Sequence, residues 1–156
     1  MPIPIKDLVD VAGVRSTQGS PIYANHIPEK SDVLVERLEV QGGIVYAMSN
    51  TPEFGAGANT FNEVFGKTRN PWNTSRSAAG SSGGAAVALA TGMAWLAHGS
   101  DMGGSLRNPA SFNGIVGFAQ IGMRFLDDDA GIGKTLRGLF GDGGDLGVDR
   151  RDAKVA

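Results

Sequence analysis

Between residues 77 and 107 the sequence reads SAAGSSGG, then a run of small apolar residues, then GSDMGGSLR. This stretch constrains the fold more than any other. Ala85 to Ala97 is apolar on every side and mostly good helix former, so it is expected to be a helix buried in the core. Gly92 inside it is expected to mark close packing against a neighbour. Two clusters of serine among glycines flank that helix, and each has the composition of a tight loop.

Serine is a poor nucleophile unless a neighbour takes its proton as it attacks. The chain has only two histidines. His26 sits in a polar loop with no partner in the sequence, and His98 reads as a residue at the C-terminus of the apolar helix, favourable to its dipole. Lysine can replace histidine as the base where desolvation keeps it neutral. Up to residue 120 there are three lysines, Lys6, Lys30 and Lys67. Lys30 stands beside Ser31 at an expected helix start and Lys67 lies in a polar loop. Only Lys6 ends an apolar strand, where its ammonium could be held in a dry interior.

That strand is PIPIK, restricted to an edge or a strand start by Pro2 and Pro4. SDVLVERLEVQGG reads as a helix with Ser31 as its N-cap, Asp32 in the first turn, Leu34 and Leu38 one turn apart and Gly42 as its stop. IVYAMS then reads as a buried strand, apolar over Ile44 to Met48. Strand, helix, strand implies a parallel crossover and an α/β class. The stretch from Asn50 to Gly84 is a long loop rich in Asn, Gly and Ser, and such loops in compact domains tend to be functional. FNGIVGFA reads as a further short strand, and Trp72 and Trp95 read as packing residues.

The motifs GSSGG and GSDMGGSLRNPASFNGIVGF, with NTPEFG, FGKTRNPWN and KDLVDVAGV, resemble blocks of the amidase signature family, amide hydrolases with a Ser-Ser-Lys triad. The resemblance covers about residues 2 to 120. Spacing agrees with it: Ser81 and Ser105 are 24 residues apart, and Lys6 and Ser81 are 75 apart. The fold it implies is α/β, a mixed and mostly parallel sheet covered by helices, of which this chain holds a core fragment. By the same resemblance Ser105 is the nucleophile that forms an acyl-enzyme, Ser81 the relay following a cis peptide bond from Gly80, and Lys6 the base. The backbone N–H groups of Met102, Gly103, Gly104 and Ser105 would form a concave nest for the oxyanion. Asp101 and Arg107 would brace this loop by hydrogen bonds and charge pairing.

Function on this reading is hydrolysis of a carboxylic amide to acid and ammonia or amine. Two alternatives stay open: a truncated or frame-shifted, inactive remnant, and the glutamine-hydrolysing subunit of a transamidation complex. Family members run to several hundred residues, and the resemblance fades after about residue 120. Residues 1 to 120 hold 17 charged residues, whereas 121 to 156 hold 13, with 8 of the 24 glycines. The second segment is therefore expected to be a polar tail that buries little. Its GIGKT is no phosphate loop, because the required first glycine is replaced by Asp128, one of three successive aspartates.

A net charge of -2 and a pI near 5.6 give no basic footprint for nucleic acid or an anionic membrane. The expected ligand is a small amide, with an oligomeric state or a partner subunit left open. The absence of cysteine excludes disulfides and thiolate metal sites. No cofactor and no metal is expected. The longest apolar stretch, AAVALATGMAWLA, is too short to span a bilayer, and a cytoplasmic location is the expectation.

Overall fold

The computed structural model describes residues 1–119. β1 (Pro2–Lys6) pairs in parallel with β2 (Ile44–Ser49), and α1 (Val33–Val40) lies in the crossover between them. The described part is thus α/β, as the strand, helix, strand order implies. Register runs from Pro2 opposite Ile44 to Lys6 opposite Ser49, with an irregularity between Ile3 and Pro4. Ile3, Ile5, Val11 and Val35 form the core, with Val9, Leu38, Val45 and Met48 packed against it.

Several local expectations need correction. α1 starts after Asp32 rather than Ser31, and neither side chain caps it. Both are used to tie down the turn after β1: Ser31 Oγ accepts from Ala12 N at 2.9 Å, and Asp32 Oδ2 from Asp10 N at 2.8 Å. Gly42 does stop the helix region, at φ +82°. β2 is one-faced rather than buried, with Ile44 and Tyr46 exposed. Among the described residues its sheet has only two strands, which leaves one face uncovered.

α2 spans Gly83–Ala90 and not Ala85 to Ala97. Gly92 adopts φ +73°, a left-handed geometry that ends a helix, so it is a terminator rather than an interior packing residue. The residues beyond it, Met93, Trp95 and Leu96, are exposed, and Trp95 at 87% exposure packs on almost nothing. Trp72 is also largely exposed and is held by its edge, with Nε1 donating to Asn113 O at 2.7 Å. FNGIVGFA is not a strand. Phe112 and Asn113 close α3 (Arg107–Asn113), and Gly114 at φ +67° stops it.

The long loop is ordered by side-chain hydrogen bonds rather than by a core. It contains a small antiparallel hairpin, β3 (Phe61–Asn62) and β4 (Gly66–Lys67). Asn62 Nδ2 donates to Asn50 Oδ1 at 2.6 Å and to Thr51 O at 2.7 Å, while Asn50 Nδ2 donates to Thr68 Oγ1 at 2.9 Å. Amides whose donors are used in this way hold a loop in one conformation. Among the described residues no helix is long and apolar enough to cross a membrane. The GIGKT segment and the expected tail lie outside the described residues.

Candidate active site

Lys6 ends β1 and is fully buried. Its Nζ donates to Ser81 Oγ at 2.6 Å and to Ser100 Oγ at 2.9 Å. Burial pushes its pKa down from 10.5 to about 8, against the opposing pull of the Asp101 carboxylate. Among the described residues no carboxylate pairs with it directly, so desolvation decides the balance and favours the neutral form.

Ser81 follows a cis peptide bond from Gly80 and is 2% exposed. Its loop is braced by Thr60, whose Oγ1 donates to Ala79 O at 2.9 Å and accepts from Gly83 N at 3.1 Å. Gly84 N donates to Asn50 O at 3.2 Å, which draws the start of α2 onto the end of β2. Because Ser49 and Lys6 are paired across β2 and β1, that contact places Ser81 over Lys6.

The second loop is tied to the first. Ser82 N donates to Ser105 O at 2.9 Å, Ser100 N donates to Ser82 Oγ at 3.2 Å, and Ser82 Oγ donates to Ser100 O at 3.2 Å. Ser105 is therefore brought beside Ser81 through the backbone of Ser82. Among the described residues its own hydroxyl makes no hydrogen bond, and it is half-buried.

Asp101 is the organising centre of this loop. Its carboxylate accepts from Gly104 N at 2.7 Å, Arg107 N at 3.1 Å and Leu106 N at 3.2 Å, and takes a two-pronged ion pair from Arg107 at 2.9 and 3.0 Å. The Arg107 guanidinium first, and then these N–H groups, hold the Asp101 carboxyl far below the usual carboxylate range despite burial. Asp101→Asn turns an acceptor into a donor against these N–H groups. Displacing the loop in this way is expected to slow labelling of the chain by a serine-directed probe about a hundredfold.

The expected oxyanion nest divides. Gly104 N–H is turned onto Asp101, so it is not a free donor. The N–H groups of Met102, Gly103 and Ser105 have no partner among the described residues. Sequence reasoning missed Ser100, Ser82 and Thr60, which hold the site together. No spacing signal marks them, since each acts through contacts 18 to 94 residues away in the chain. His98 is not at a helix end. It lies beyond the end of α2, against β1.

An α/β unit with a buried lysine set against a serine, and a second serine on an adjoining glycine-rich loop, defines a candidate serine hydrolase site without histidine. The chain belongs to the amidase family: the family profile Amidase matches residues 1–120. It is 47% identical over 124 residues to a mitochondrial glutamyl-tRNA(Gln) amidotransferase subunit of Ixodes scapularis, covering 75% of this chain and 25% of that protein. The corresponding subunit of Carboxydothermus hydrogenoformans is 46% identical, with 75% and 24% covered. Among solved structures, the same glutamyl-tRNA(Gln) amidotransferase subunit from Thermotoga maritima superposes with a TM-score of 0.69 at 40% identity, covering 72% of this chain and 25% of that one. A 6-aminohexanoate cyclic dimer hydrolase complexed with substrate gives 0.68 at 36% identity, with 71% and 24% covered. The chain thus spans about a quarter of the length of the curated relatives it matches.

Proposed function

We propose that the chain hydrolyses a carboxylic amide through an acyl-enzyme on Ser105. The observation that carries this is the buried Lys6 Nζ, 2.6 Å from Ser81 Oγ, in a chain of the amidase family. Neutral Lys6 takes the Ser81 hydroxyl proton as Ser81 Oγ takes that of Ser105. The Ser105 oxygen then bonds to the amide carbon. The N–H groups of Met102, Gly103 and Ser105, unpartnered among the described residues, are the donors available to the developing oxyanion, and losing one such donor typically costs about 3 kcal/mol of barrier. The proton returns through Ser81 to the departing nitrogen as the C–N bond breaks. Water, giving its proton to Lys6 by the same route, releases the acid and restores Ser105. Hydrogen bonds to a nucleophile commonly tighten only with substrate present, which accommodates the unbonded Ser105 hydroxyl.

A fluorophosphonate probe tests this. Covalent labelling mapped to Ser105 by mass spectrometry supports it, and soluble, folded protein that resists labelling overturns it in favour of an inactive remnant. Ser100→Ala removes one of the two acceptors that hold Lys6 Nζ and is expected to slow labelling about tenfold while leaving the labelled residue unchanged.

The names of the relatives favour one form of this reading, an amidotransferase subunit whose ammonia is used at another active site. Ammonia release from glutamine, measured with and without such a partner subunit, separates it from a free-standing amide hydrolase.

A further inference from the structure

β1 is paired with β2 on one edge, and on its other edge the chain at His98 runs alongside it. His98 N donates to Pro4 O at 3.0 Å. In a parallel ladder the matching bond would run from Lys6 N–H to the carbonyl oxygen of the residue at 98. Here Lys6 N–H donates instead to the side chain, to His98 Nδ1 at 3.3 Å. An imidazole thus supplies a ladder bond at the very residue whose ammonium contacts Ser81. Any backbone carbonyl would accept that bond at every pH. An imidazole nitrogen accepts it only while neutral, with its proton on Nε2.

We infer that His98 is a positioning residue for Lys6, holding the end of β1 through Nδ1 while neutral and releasing it on protonation. The inference rests on the proposed role of Lys6 as the base. A protonated His98 would set Nδ1–H against Lys6 N–H and place a second positive charge beside the ammonium. Burial first, and then the Lys6 charge, lower the His98 pKa, so the bond persists at neutral pH.

Among the described residues few other charges bear on the imidazole. On the β1 side the next residue, Asp7, is turned away and accepts from Thr17 N at 2.7 Å and from the Thr17 hydroxyl. Asp101 is engaged by Arg107. α2 has no titratable side chain, and on β2 the only one, Tyr46, donates its hydroxyl to Met93 O at 2.7 Å.

The test uses the full chain, isotope-labelled, in three measurements. Long-range proton–nitrogen NMR at pH 7.5 is expected to show His98 protonated on Nε2 and bare on Nδ1; a proton on Nδ1 overturns the inference. Asparagine presents an amide oxygen where histidine has Nδ1 and does not titrate. His98→Asn should therefore keep the hydrogen-exchange protection of the Lys6 amide within about threefold of wild type, and His98→Leu should lower it about tenfold, the worth of one hydrogen bond. Equal protection in all three proteins overturns the inference, and if His98→Leu fails to fold the tautomer still decides.

In the third measurement, the rate of fluorophosphonate labelling should fall with two protons per molecule below the His98 titration in wild type, and with one in His98→Asn. A one-proton fall in both proteins overturns the inference. Absence of labelling with the NMR results as expected overturns the assignment of Ser105 and Lys6 while leaving the His98 bond established.

Discussion

Ser105→Ala is expected to abolish covalent labelling by a serine-directed probe, and Lys6→Met to slow it about a thousandfold. The two substitutions act on different parts of one event. On the proposed mechanism alanine removes the oxygen that bonds to the probe, so no change of pH restores the reaction. Methionine keeps the volume of a buried side chain but removes the amine 2.6 Å from Ser81 Oγ, the proposed proton acceptor.

The pH profile separates a base from a packing residue. Because the Lys6 pKa is lowered to about 8, its neutral form grows as pH rises through that value. Wild-type labelling should climb from roughly a tenth of its maximum at pH 7 to a plateau above about pH 9. Lys6→Met should show no such climb. Stability gives a second readout with its own sign. The folded pKa of Lys6 lies below the ordinary 10.5, so between about 8 and 10.5 the unfolded chain binds more protons. Unfolding free energy should therefore rise with pH across that window in wild type and not in Lys6→Met.

Gly84→Ala is expected to cost about 3 kcal/mol of stability, measured by urea unfolding. A Cβ there would stand 2.6 Å from Asn50 O and closer still to Asn50 N. These are backbone atoms at the end of β2, and neither can rotate away. The first turn of α2 would have to withdraw from β2, taking Ser81 from Lys6. Gly103→Ala is the control: a Cβ there meets nothing within 4 Å, so its stability should stay within about 0.5 kcal/mol of wild type. Equal losses in the two variants would show that close approach at Gly84 does not hold the site.

Local chemistry makes much of this protein legible. β1, α1 and β2 follow from their apolar pattern and from Gly42, and their parallel pairing follows from the crossover between them. Lys6 stands out because a lysine closing an apolar strand has few ways to stay solvated, and it is fully buried. The departures share a cause. Ala85 to Ala97 reads as one helix because small apolar residues suit a helix anywhere, yet Gly92 takes a left-handed conformation and ends it. The stretch around Asn113 reads as a strand, though a strand needs a neighbour and Gly114 only closes α3.

Read along the chain, the residues offer a lysine at a strand end, serines in two glycine-rich loops, and a carboxylate and guanidinium flanking one of them. These are one-dimensional facts, set by composition and by spacing along the chain. Which of these groups meet in a hydrogen bond depends on how the chain packs. Gly104 N–H was free to be an oxyanion donor until Asp101 took it, and Ser100 had no evident task until the fold carried it 2.9 Å from a lysine 94 residues away. His98 likewise became part of the β1 edge only when the chain returned beside that strand. Hydrogen bonds act over about 3 Å and are blind to sequence distance, so the partners of these residues exist only once the chain has packed.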